Sequence, residues 1–262
     1  MTGEILMARL FFGYSLNVST DYVVDSYRDI VPLLSTGNVE KARNLLLEKY
    51  RIGPQTRYSK RPVVVYWLKM MGELQRSFIE ERRKGEKSGD EIETIRTTYD
   101  ALGALVKEFV HEAKAPLVDA TNRTLLHHAA FFQLTEICEF LLARKYNPND
   151  MDGQGVTPSY EAIWGFERLP LCYDEEDDPF RVKELFPTLL NGGADPYYPP
   201  GLARSVNERV RTLTKHMNSL MANEEERKKS EIPELERKIG LLKVCYADPL
   251  EERRLRKLRG EL

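Results

Sequence analysis

The residues with most chemical potential are an adjacent histidine pair, His127-His128, the acidic run Asp174-Glu-Glu-Asp-Asp178, three cysteines and the glycine pair Gly192-Gly193. Imidazoles bind transition metals and move protons near neutral pH. Consecutive positions on a helix point about 100° apart, so His127 and His128 do not share one ion. The acidic run fails as a calcium loop: no glycine stands at its sixth position, and Leu185 occupies the place of the closing glutamate. It reads instead as a solvated loop, or as a lure for a basic partner. Cys138, Cys172 and Cys245 are far apart and form no Cys-x-x-Cys, which argues against a zinc site or a redox dithiol. No nucleophile elbow, phosphate loop or dinucleotide fingerprint occurs. Gly192-Gly193 suits a left-handed helix C-cap better than a phosphate cradle. The expectation is a protein with no catalytic residue, no metal ligand and no cofactor.

The elements that carry these residues repeat. Asp119-Ala-Thr-Asn-Arg-Thr-Leu-Leu-His-His-Ala-Ala130 recurs, loosened, as Asp152-Gly-Gln-Gly-Val-Thr-Pro-Ser-Tyr-Glu-Ala-Ile163, and Thr157 lies 33 positions after Thr124. That period belongs to stacked helical repeats, which present surfaces rather than pockets. Thr124 stands where a helix start needs a cap. Leu126, Ala129 and Ala130 then give a first helix with a small-residue face, and Leu134, Ile137, Phe140 and Leu141 give a second.

These residues resemble the ankyrin-repeat family, whose pattern opens Asp-x-x-Gly-x-Thr-Pro-Leu-His-x-Ala-Ala. Leu125 replaces its proline in the first copy, while the second keeps Asp152, Gly155, Thr157, Pro158 and Ala162. The resemblance is clear over about 118–198 and weak over 20–117. It implies an all-α, ankyrin-type helical solenoid with short β-hairpin turns. It also implies that Thr124, His127, Thr157 and Pro158 are structural, with the His127 ring bonded to neighbouring hairpin backbone. His128, Phe131, Phe132, Tyr160 and Trp164 then fall on the concave face, and Arg123 and Gln154 at the hairpin tips. In the family those slots touch a protein partner. For Phe131 and Phe132 a second reading stays open, that this chain's own insertions cover them.

The remaining segments fit the same frame. Residues 1–19 are an extension, 20–57 resemble a degenerate cap repeat, and 58–117 a repeat lengthened by two long helices around a polar tip at Arg82–Asp90. Residues 118–150 and 151–198 are the clear repeats. The second of these carries an acidic insertion, because its Leu-Leu exit at 189–190 follows 141–142 by 48 positions. Both insertions, about 81–92 and 165–180, are expected outside the core, and removing Gly85–Ser88 is expected to change stability little. From 199 to 262 two short apolar seams read as a helical hairpin packed on the last repeat. They are Val206, Val210, Leu213, Met217, Leu220 and then Ile232, Leu235, Ile239, Leu242, Tyr246. A basic tail from Arg253 to Arg259 follows.

A net charge of −2 provides no whole-protein field for nucleic acid. No apolar run is long enough to span a membrane, and the N-terminal stretch Ile5–Tyr14 is a poor signal peptide. The expectation is an intracellular adaptor, cytoplasmic or alternatively nuclear, holding a protein partner. Its rival is a nucleic-acid- or ribonucleoprotein-associated factor using the basic tail.

Overall fold

The computed structural model describes residues 22–58, 60–84, 89–113, 115–168, 179–195, 206–222 and 231–260. The N-terminal extension, the tip Gly85–Ser88, the acidic run Asp174–Asp178 and Cys172 lie outside them. The chain is mostly helical. Among the described residues the strands are β1 (Arg57–Tyr58) and β2 (Arg61–Pro62), paired antiparallel with Arg57 opposite Pro62.

The first helix, α1 (Tyr22–Leu34), buries Tyr27, Ile30, Val31 and Leu34, one face at helical spacing. Gly37, at φ 72°, turns the chain into α2 (Val39–Glu48), and Asn38 Oδ1 accepts the Lys41 N–H at its start. The hairpin β1–β2 leads into α3 (Val63–Lys84) and α4 (Gly89–Glu112), which pack along each other with Trp67 edge-on to Phe109. Both are long, as the sequence suggests. The next units are shorter: α5 (Leu125–Phe131) with α6 (Thr135–Ala143), then α7 (Pro158–Glu167) with α8 (Leu185–Asn191). Successive pairs stack, with α3, α5 and α7 in one row and α4, α6 and α8 in the other. The first pair packs against α4.

Two glycines set how closely successive helices of the α3, α5 and α7 row approach. A Cβ on Gly165 would lie 1.7 Å from the Phe131 carbonyl oxygen, and one on Gly72 would lie 2.8 Å from the Phe132 ring. Both positions therefore exclude any larger side chain.

The C-terminal segment comprises α9 (Val206–Ala222), α10 (Glu231–Leu242), a π-helical turn at Lys243–Ala247 and α11 (Asp248–Leu258). It is part of the core. Tyr246 is fully buried, stacks edge-on against Phe166 and Phe186, and donates its hydroxyl to Gln133 Oε1 at 3.2 Å. Of the two seams, Leu213, Leu220, Ile239 and Leu242 are buried. The basic stretch is no loose arm, because Arg253 Nη1 donates to the Ala194 carbonyl at 3.1 Å, beside the exit of α8.

The insertion boundaries need correction. Gly165 and Phe166 belong to α7 and are buried, and Phe180 is core, edge-on to both Phe78 and Tyr99. The segment after the undescribed stretch 169–178 is thus anchored on α3 and α4. Arg96 holds it by donating to the Pro179 carbonyl. Arg181 then clamps Glu139 of α6 with two hydrogen bonds, at 3.0 and 2.8 Å. Similarly, Glu81 near the tip of α3 is buried, while Arg82, Gly89 and Asp90 are exposed, so the part outside the core does not begin at 81.

Candidate functional site

The site begins at a turn that the chain makes twice. Asp119 Oδ1 accepts from the Thr121 N–H, the Thr121 hydroxyl and the Arg123 N–H. Thirty-three positions on, Asp152 Oδ1 accepts from the Gln154 and Val156 N–H groups. The backbone closes in the same way, with Asp119 N–H to Arg123 O and Asp152 N–H to Val156 O, each at 2.9 Å. Asn122 and Gly155 are the left-handed residues of the two turns, at φ 61° and 73°. Aspartate is needed here because its short carboxylate reaches backbone donors two and four residues ahead. Burial works to raise both carboxyls, but those donors outweigh it and hold each below the usual carboxylate range.

Each turn delivers a threonine in extended conformation to the start of a helix: Thr124 before α5, and Thr157 before α7 with Pro158 as its first residue. His127 joins the two units. Its Nδ1 accepts the Thr124 backbone N–H at 3.2 Å, with the Thr124 hydroxyl 2.9 Å from the same nitrogen. A peptide N–H only donates, so Nδ1 carries no proton. The proton is on Nε2, which donates to Val156 O at 2.9 Å. His127 is therefore neutral and fully buried, and burial lowers its pKa. The structural role expected of this residue agrees with its geometry.

His128 does not sit on an open strip. It is 8% exposed, and its Nε2 lies 3.1 Å from Asp119 Oδ2. Burial pushes the imidazole down to about 4 despite that carboxylate, so at neutral pH it is an uncharged donor to Asp119. The reason is local: the same aspartate that organises the turn has a second oxygen facing α5. Arg123 is likewise turned inward. Its Nε donates to Asp152 Oδ2 at 3.0 Å, and Nη2 lies 2.5 Å from Glu161 Oε1. That second contact is an ion pair angled away from hydrogen-bond geometry, and burial raises the Glu161 carboxyl. The expectation that His128 and Arg123 present themselves to a partner is corrected on these grounds. Gln154, at the second turn, is exposed.

The aromatic positions remain at the surface. Phe131, Phe132, Tyr160 and Trp164 are each partly exposed. Phe131 meets Phe132 edge-on at 5.1 Å, and Tyr160 meets Trp164 at 5.1 Å. The reading in which this chain covers its own phenylalanines holds in part: Phe132 rests on Gly72 of α3, and Phe131 is covered on one face by the Arg168 guanidinium, 5.1 Å from its centroid. Arg209 of α9 pairs with Glu167 at the end of α7, closing one end of the strip.

Gln133 is a residue that the sequence pattern does not single out. Fully buried and left-handed at φ 60°, its amide donates to the Ala130 and Ala162 carbonyls at 2.8 and 2.7 Å and its oxygen accepts from Tyr246. It satisfies carbonyls of two adjacent helices and ties both to the C-terminal segment. A polar residue just after a helix gives no sign of this in sequence. Asp152 and Glu161 carry a usable signal: acids placed to face Arg123 across the repeat.

Among the described residues no group of three or more His, Cys, Asp or Glu side chains could hold a metal, and no helix is long and apolar enough to cross a membrane. Cys138 and Cys245 are buried. No protein-family model matches the chain, and neither does any curated protein or solved structure.

Proposed function

We propose that this chain is a non-enzymatic, ankyrin-type interaction module that holds a protein partner against the aromatic strip of Phe131, Phe132, Tyr160 and Trp164. The observation that carries the reading is the doubled turn. The same aspartate-centred loop, left-handed residue and threonine helix start recur 33 positions apart, and His127 links one copy to the backbone of the next. A unit built to stack in this way leaves one row of helices free to vary its exposed side chains.

Support for the strip as the docking face comes from its composition. Four partly exposed aromatic rings lie within two helices and the residue after the first, and a cation is stacked at the edge. Tyr, Trp and Arg are the residues that dominate binding energy at interfaces. Gln154 adds an exposed polar contact at the neighbouring turn. The buried histidines argue against proton chemistry here, because His127 uses both ring nitrogens and His128 is held at Asp119. The rival reading, nucleic acid on the basic stretch 253–259, draws less support: Arg253 is committed to backbone carbonyls and Arg254 lies 3.4 Å from Glu251.

Affinity capture followed by mass spectrometry tests the proposal. The wild type is expected to recover a defined protein at high and low salt, and Trp164→Ala with Phe131→Ala to lose it. Recovery of nucleic acid that falls steeply with salt would move the function to the basic stretch.

A further inference from the structure

Three of the large exposed apolar side chains belong to the last described segment: Val244 is 57%, Leu255 45% and Leu258 75% exposed. Val244 and Leu255 share one face with Asp248, Glu251, Glu252 and Arg259 along α11 and the π-helical turn before it, and Leu258 follows Glu251 by seven positions. This is the face turned away from the core, since Leu250 and Arg253 occupy the opposite side. The order of charge along it is acidic first and basic last.

We propose that this face pairs two copies of the chain in an antiparallel helix contact centred on Leu255. Glu251 lies one turn before Leu255 and Arg259 one turn after it. A two-fold axis through Leu255 therefore sets Glu251 of each copy against Arg259 of the other, twice, and brings the leucines together in the middle. A parallel pairing instead opposes Glu251 to Glu251 and Arg259 to Arg259. The acid-first, base-last order also suits the helix dipole. The dipole gives no reason for a solvent-facing leucine at 255, and a self-complementary contact does. Glu251 keeps a 3.4 Å approach to Arg254 on its own helix. Both side chains are largely in water, where such a pair competes weakly. The contact is small, so the dimer is concentration-dependent, with a Kd on the order of 100 μM. This inference is independent of the partner site on α5 and α7.

Sedimentation equilibrium over about 5–500 μM tests it, a range bracketing that Kd. The wild type is expected to move from monomer to dimer. Glu251→Arg alone and Arg259→Glu alone should each weaken association about tenfold or more, since each places like charges together twice. An equimolar mixture of the two variants, and the double variant carrying both changes, should each recover wild-type association. Circular dichroism confirms that these surface changes leave the helices intact. A wild type that stays monomeric throughout, whether or not it binds a basic helical peptide, overturns the proposal. So does a dimer indifferent to the single reversals, or one that neither the mixture nor the double variant restores.

Discussion

Helices α3 and α4 run for 22 and 24 residues and meet through apolar side chains, whereas α5 to α8 are 7 to 10 residues long and are joined by buried hydrogen bonds. Helices as short as the second group are not stable alone. They need their starts fixed, and the two aspartate turns, the His127 bridge and Gln133 do that. The long pair needs no such devices: Trp67, Leu68, Met71, Leu74, Ile95, Leu102 and Phe109 are buried along it. One half of the molecule is therefore secured chiefly by area, and the other by area together with polar geometry. The two should fail differently.

The largest effect is expected in the apolar half. Trp67→Ala removes a fully buried ring and its contact with Phe109, and should lower unfolding free energy by about 3–5 kcal/mol in urea titrations. A loss under about 1 kcal/mol, typical of a surface change, would mean that packing is not what joins α3 to α4.

Acid should select the polar half. His128 titrates at about 4 when folded against 6.5 for the free side chain, and the pKa of His127 is lowered too. The unfolded chain then binds more protons, so stability present near neutrality is lost as pH falls from about 6.5 towards 4. His128 alone accounts for about 3 kcal/mol, since each tenfold drop in proton affinity on folding is worth about 1.4 kcal/mol. Glu161, raised by burial, gains stability on protonation and offsets part of this loss. Hydrogen exchange followed against pH should show the amides of α5 and α7 losing protection before those of α3 and α4. Uniform loss along the chain would erase the distinction.

A smaller effect sharpens the comparison within the polar half. Asp119→Ala and Asp152→Ala remove the same acceptor from equivalent turns, and each should cost about 1–3 kcal/mol. His127→Ala and His128→Ala should both destabilise, because both rings are buried and bonded. The smallest change is predicted for Asn38→Ala. Its cap is a single 3.3 Å bond on an exposed turn, and about 0.5–1 kcal/mol is expected in thermal melts.

The same contrast governs what is legible in the sequence. The short units can be read from turn chemistry, since threonine, aspartate and left-handed positions recur at fixed offsets. The long pair can be read from its place in the same frame and the polar tip between its helices. What stays hidden depends on contacts remote in sequence. Phe180 follows an acidic run and looks like loop, yet it docks on Phe78 and Tyr99, far back in the chain. The ankyrin resemblance implies that Arg123 and His128 point outward, but this chain supplies Asp152, Glu161 and Asp119 to draw them in. Gln133 cannot be told from any polar helix-end residue, because its three partners come from α5, α7 and the C-terminal segment.

The docking claim is tested most directly by titrating the recovered partner, in a calorimeter, against wild type, Trp164→Ala and a remote surface control, Leu255→Ser. Trp164→Ala is expected to weaken binding about thirtyfold or more, the scale of an interface hot spot, with its melting temperature little changed, and Leu255→Ser to bind as wild type does. Equal affinity for wild type and Trp164→Ala would contradict the aromatic strip as the docking face.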